Sequence, residues 1–260
     1  MPKRLLSLLF PVLLFGPPAR GTAISFLVDI NAIYLAADGR MTQHVRSGKP
    51  IGGTICKIRV IKNWIFASSG LAMNIATKFD IWEVASSSIG SETTAEAGME
   101  ALKRSLLKYL PATVREFRRS TPTAYARLVG GKTPVVSVAL GSIEVGVAKL
   151  LVCEFSLNRN GGIDSPRCDS IRGTSSGSGG WSMGSNEATM AYLKTHAVAM
   201  DHTESSQLAF VKKSIELEIA ADRQAGEDEV GPPVAVGKFD GTGFHLVQPG
   251  ACPSGLNSKK

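Results

Sequence analysis

Apolar segments follow one another along this chain in the order strands, two helices, strands, two helices, strands, and that order limits the folds available to it. Residues 23–37 read as two short strands around Asp29-Ile30-Asn31. "TICKIRVI" (54–61) and "WIFASSG" (64–70) alternate as a hairpin across Lys62-Asn63. Residues 71–87 and 93–120 read as helices, with Pro111 placed to kink or divide the second. Strands are expected at 133–143 and 148–158, and a Gly- and Ser-rich loop broken by short strand at 160–184. Helices follow at 186–198 and 204–222, with Ser185 and Thr203 as candidate caps. A closing hairpin, 232–239 with 243–248, turns at Asp240-Gly241. Regular βαβ alternation is missing, which disfavours a doubly wound parallel sheet. Two antiparallel sheets with helix pairs outside them would bury every apolar face. The 260 residues show no internal repeat and no dividing linker, so residues 22–260 are expected to form one α+β domain.

The segment before residue 22 reads differently. Lys3 and Arg4 form a positive start, Leu5 to Phe15 is an unbroken apolar stretch apart from Ser7 and Pro11, and Gly16-Pro17-Pro18 breaks it. Small residues Ala19 and Gly21 then supply a cleavage site of the kind that ends a secretory signal. The stretch is shorter than the roughly 20 residues that a membrane span needs. Residues 1–21 are therefore expected to be a signal peptide, the protein to be exported to a periplasmic or extracellular space, and no stable membrane span to remain. The formal charge is +7, and Lys3, Arg4 and Arg20 account for three of those charges. What is left is mildly basic without a run of like charges, so a nucleic-acid partner is not expected. The basic residues of 93–120 read most simply as a solvated helix face.

Four cysteines, Cys56, Cys153, Cys168 and Cys252, permit two disulfides in an exported chain, or remain as buried thiols. If they pair, Cys153 with Cys168 is the local choice, and Cys56 with Cys252 then ties down the C-terminal tail. Familiar catalytic strings fail on inspection. "GGKT" (130–133) lacks the glycine that a phosphate loop needs, since Ala126 stands there. "GTSSG" (173–177) matches a nucleophile elbow as letters, but no helix is expected after Ser175. His44, His196, His202 and His245 show no metal-ligand spacing, and no cofactor or metal is expected.

The Gly21-Thr22 step carries more chemistry. A threonine at a free N-terminus has a hydroxyl nucleophile and an amine base within one residue. The amine titrates near 7.7–8.0, so a large fraction of it is neutral at physiological pH. A buried lysine beside it keeps the amine deprotonated, and a carboxylate holds that lysine charged and in place. Asp38 and Lys57, on elements flanking the first strand pair, can supply the two.

"GTAISFLVDINAIYLAADGRMT" followed by "GGTICKIRVIKNWIFASSGLA" resembles the start of proteasome-type subunits, both proteasomal β-subunits and bacterial proteasome-like peptidases, which are N-terminal nucleophile (Ntn) hydrolases. The resemblance is specific over residues 21–72 and extends, as an order of elements, along most of the chain. It implies a four-layer αββα sandwich, peptide or amide hydrolysis without a cofactor, and a homo-oligomer. It places Thr22 on the nucleophile, Asp38 on the acid that pairs the lysine, and Lys57 on that lysine. Arg40 follows Asp38 as the family's arginine does, and Thr42 falls on the residue whose backbone binds extended substrate. Gly70 falls near the oxyanion-hole N–H. "SMGSNEA" (182–188) makes Ser185 the serine near the nucleophile's amine. Asp228 fits the second site aspartate, with Asp222 as the rival. The secretory leader, the Gly-rich segment around 160–181 and the possible disulfides depart from the family pattern, and an exported protein would lack the unfolding ATPase that feeds family rings. An inactive binding or assembly protein and a small-molecule amidase are the alternative functions.

The reading turns on one bond. N-terminal sequencing or intact-mass measurement of the exported protein should find Thr22 as the first residue. A start elsewhere removes the threonine or leaves it without a free amine, and the catalytic reading then fails.

Overall fold

The structure, a computed structural model, describes residues 22–43, 51–129, 133–174, 178–196, 202–227, 229–253 and 256. The expected signal peptide (1–21), most of "GGKT" and Ser175 lie outside them. The described chain is an α+β sandwich whose two main sheets are antiparallel and five-stranded.

The first sheet begins with β1 (Ala23–Val28) and β2 (Ala32–Asp38), joined at the expected turn. The chain then forms a small separate ribbon, β3 (Arg40–Gln43) with β4 (Ile51–Thr54). It crosses to the second sheet for β5 (Ile58–Ile61) and β6 (Trp64–Gly70). The continuous strand expected over 54–61 is thus two strands with a crossing between them. Alternation is a local signal and does not register that Thr54 pairs with Arg40 while Ile58 pairs with Ala67.

The helix expected over 71–87 is also shorter at its start. A two-residue pair, β7 (Met73–Asn74) and β8 (Phe79–Asp80), precedes α1 (Ile81–Ile89). The Asn74 side chain accepts from the Thr77 N–H and hydroxyl, and Lys78 takes a φ of 53°, which closes a turn. Asp80 then caps α1 by accepting from Trp82 N–H at 2.8 Å. After it, α2 (Ala95–Ser120) runs through Pro111 undivided. Pro111 is exposed, so water can satisfy the carbonyl left without its helical donor. A short α3 (Pro122–Leu128) follows.

The strands β9 (Val136–Glu144) and β10 (Val147–Phe155) complete the centre of the second sheet. The Gly- and Ser-rich region supplies two further strands, β11 (Arg167–Arg172) and β12 (Gly179–Gly184). Then come α4 (Glu187–Thr195), α5 (Glu204–Gln224), β13 (Val234–Asp240) and β14 (Gly243–Gln248). Strand order is β12-β1-β2-β13-β14 in one sheet and β11-β10-β9-β6-β5 in the other.

Side-chain alternation explains how the sheets stack. In β2, Ile33, Leu35 and Ala37 join an apolar cluster shared with β6, β9 and β10, while Ala32, Tyr34 and Ala36 join one with Val211, Ile215 and Ile219 of α5. In β9, Ala139 faces the shared cluster, while Val136, Val138 and Leu140 pack with Leu102, Leu106 and Leu110 of α2. Central strands are therefore covered on both faces, which is why they read as nearly unbroken apolar runs. The sheets approach closely at Gly141, where an added Cβ would stand 2.6 Å from Ile33 Cδ1 of the opposite sheet.

All four cysteines are paired, Cys153 with Cys168 and Cys56 with Cys252. The first links directly opposed residues of β10 and β11. The second spans 196 residues and fastens the C-terminal tail beside the crossing to β5. Replacing Cys56 and Cys252 together by serine should lower stability by roughly 2–5 kcal/mol. Thermal unfolding checks this, and a melting temperature equal to wild type would show that the long link restrains nothing.

Candidate active site

One end of the sandwich gathers most of the residues singled out by sequence. In the first sheet, Ala23 stands opposite Gly184, and Asp38 stands opposite Val234, so Thr22, Asp38, Ser185 and the segment before β13 share an end. In the second sheet, Ile58 pairs with Ala67, which puts Lys57 and Gly70 at one end as well. An ion pair joins the two ends. Lys57 Nζ donates to Asp38 Oδ1 at 2.7 Å.

That pair is buried. Asp38 is 1% exposed and Lys57 5%. A buried carboxylate requires donors, and Asp38 has four among the described residues. Oδ1 accepts from Ala23 N–H at 2.7 Å as well as from Lys57, and Oδ2 accepts from Arg40 N–H at 3.1 Å and Gly231 N–H at 3.3 Å. The carboxylate thus touches the peptide nitrogen that follows Thr22 directly. It holds the start of β1, the end of β2 and the segment leading into β13 in one arrangement. Burial pushes the Lys57 pKa below the ordinary lysine value, and the attraction and hydrogen bond of Asp38 only partly oppose it.

Ser185 lies on the other side of Thr22. Its N–H donates to the Thr22 carbonyl at 3.0 Å. It does not cap α4 as expected. The cap position belongs to Asn186, which makes no side-chain cap bond. The Ser185 hydroxyl is instead turned inward and donates to Glu218 Oε2 at 2.8 Å. Glu218 Oε1 accepts from Thr189 N–H in the first turn of α4.

Gly70 ends β6 with a φ of +88°, and an added Cβ would lie 2.3 Å from the Val135 carbonyl oxygen. Only glycine suits that backbone. Thr42 lies in β3, opposite Gly52 of β4, an extended ribbon directly after Asp38 and Arg40. Asp228 lies outside the described residues. Its rival Asp222 is fully buried on α5, where Oδ2 accepts from Glu229 N–H at 3.0 Å and Val230 N–H at 3.2 Å. Asp222 therefore anchors the segment that carries Gly231 to Asp38, one step removed from Thr22. In that segment, burial and neighbouring Glu227 push the Glu229 carboxyl up to about 7, against the pull of Arg127. Among the described residues, no group of three or more His, Cys, Asp or Glu side chains is placed to hold a metal ion, and no helix is long and apolar enough to cross a membrane.

Two contributors escaped the sequence reading. Gly231 acts through its backbone N–H, which leaves no residue-type signal. Glu218 did leave one. Val211, Ile215, Glu218 and Asp222 follow helical spacing on the buried face of α5, so a carboxylate there interrupts an apolar stripe.

No protein-family model matches the chain, and no curated protein sequence matches it.

Removing the charge of Asp38 tests the electrostatics. Asp38→Asn leaves the buried Lys57 side chain without its counter-charge and should lower stability by roughly 3–5 kcal/mol near neutral pH. Because the Lys57 pKa is lowered on folding, the unfolded chain binds the extra proton between that lowered value and the ordinary 10.5, and wild-type stability rises with pH across this window. Without Asp38 the folded pKa falls further and the window extends to lower pH. The deficit of the variant should therefore shrink as pH rises towards 10. Urea unfolding at several pH values measures it, and a deficit independent of pH would contradict the assignment.

Proposed function

We propose that the protein is an exported N-terminal threonine hydrolase of the proteasome-like type, acting on peptide or amide bonds through an acyl-enzyme on Thr22. The supporting observation is the buried Lys57–Asp38 pair, whose carboxylate also accepts the N–H of Ala23. A lysine and an acid are thereby tied to the residue next to the proposed nucleophile. The stacking of two antiparallel sheets between α1–α2 on one side and α5 on the other agrees with the four-layer αββα arrangement that the family resemblance implies.

In this reading, cleavage of the Gly21–Thr22 bond on export frees the amine. Thr22 Oγ attacks the substrate carbonyl carbon, and the amine, directly or through water, takes the hydroxyl proton. Lys57 favours the neutral amine, and Asp38 orients Lys57. The Gly70 backbone N–H stabilises the developing oxyanion, and loss of one such donor typically costs about 2.7–4 kcal/mol of activation free energy. The C–N bond breaks as the leaving amine collects a proton. Water then hydrolyses the Thr22 ester, and the acid and threonine are released. The ribbon after Asp38 gives an extended substrate a backbone to lie against at Thr42. Assembly into a homo-oligomer belongs to the same proposal.

Protein beginning at Thr22 should hydrolyse a peptide or amide substrate. It should also gain the mass of an electrophile that reacts with both a hydroxyl and a free amine, such as a peptide epoxyketone. Thr22→Ala should abolish both. Activity that survives in Thr22→Ala would disprove the nucleophile. A wild-type protein with neither turnover nor label would belong to the binding class, and one that turns over only small amides to the amidase class.

A further inference from the structure

Glu218 is a fully buried carboxylate that the proposed mechanism does not use. It is 1% exposed. Its described partners are the Ser185 hydroxyl at 2.8 Å on Oε2 and the Thr189 N–H at 2.8 Å on Oε1. Thr189 is itself fixed, since its own hydroxyl donates to the Ser214 carbonyl one turn earlier on α5. The carboxylate takes over the capping role that Asn186 leaves unfilled, and sits against the positive end of the α4 dipole. Capping alone would need only one oxygen. The second oxygen is spent on a serine whose N–H holds the Thr22 carbonyl.

The consequence lies in the single proton of a hydroxyl. A serine that donates to a buried carboxylate has only lone pairs left to present elsewhere. Whatever approaches Ser185 Oγ from the side of Thr22 must therefore be a donor. We infer that Glu218 is a positioning residue for the reaction, which fixes Ser185 as an obligate hydrogen-bond acceptor for the α-amine of mature Thr22. An acceptor beside the amine stabilises the ammonium formed when it takes the Oγ proton. Orienting the serine beforehand removes the competing arrangement in which its proton occupies the amine lone pair that must take the Oγ proton.

This inference rests on the proposed threonine chemistry, and the two can fail separately. In Glu218→Gln one amide face is a donor, so the Ser185 hydroxyl or the Thr189 N–H loses its acceptor. The expected result is a fall in kcat of up to about 10²-fold with KM unchanged. The acidic limb of the kcat/KM profile, which reports the free amine, should move to lower pH because the ammonium has lost an acceptor. Should Glu218→Gln not fold, Ser185→Ala leaves the Thr189 cap intact and should show the same limb shift. In the Ser185→Ala background, adding Glu218→Gln should change kcat little, since both act through one hydroxyl. A Glu218→Gln protein with a lowered melting temperature but wild-type kcat and pH limb would show a purely structural carboxylate and overturn the inference. Independent, additive losses in the double variant would overturn it as well. Epoxyketone labelling of wild type separates the two failures. With Thr22 labelled, these outcomes bear on Glu218 alone, and with Thr22 unlabelled, the threonine chemistry falls and the inference falls with it.

Discussion

A carboxylate with four donors is the interaction on which the candidate site depends. Burying a carboxylate as deeply as Asp38 without such donors is heavily penalised. Each donor comes from a different place in the chain: the start of β1, the residue after the bend, the crossing before β5 and the segment before β13. Meeting the electrostatic demand of one side chain therefore fixes the relative positions of four segments. The ion pair need not add much net stability for this to hold, since desolvation of Lys57 opposes the attraction. Its effect is on arrangement. Any competing packing that separates the segments strands a charge in the interior.

The two sheets supply the frame for that arrangement. Each is covered outside by helix and inside by its partner, and the apolar clusters on the three levels involve different faces of the same strands. The groups of the candidate site lie instead at strand ends, where the backbone has left the ladders and its N–H groups can meet side chains. Asp38 at the end of β2 and Gly70 at the end of β6 both follow this rule. Glu218 and Asp222 extend it to α5, one holding Ser185 and the other the segment that brings Gly231 to Asp38.

Much of this was legible in the sequence where one residue type met one local demand. The apolar runs of β2 and β9, the turn at Lys62-Asn63 and the Thr203 cap of α5 follow from side-chain shape and hydrogen-bonding capacity alone. The Asp38–Lys57 pair was legible because an N-terminal threonine calls for a lysine and an acid, and the family resemblance falls on these two. Features that depend on a change of partner were not. The division of 54–61 into β4 and β5 requires knowing that the chain leaves one sheet for another at Ile55 to Lys57. The Ser185 hydroxyl was expected at a helix cap because serine favours that position. A buried carboxylate 33 residues away offered it a stronger acceptor.

The span of these contacts also sets when the site can exist. Asp38 is completed by an N–H 193 residues later, and the residue beside Lys57 is bonded to Cys252, 196 residues on. A chain growing from its N-terminus would carry the threonine, the acid and the lysine early, but would lack the parts that hold them until Gly231 and Cys252 had been made. Truncated products would possess every proposed reacting group and no means of aligning them. Dispersing the donors from Ala23 to Gly231 thus ties alignment of the site to the order in which the residues are made.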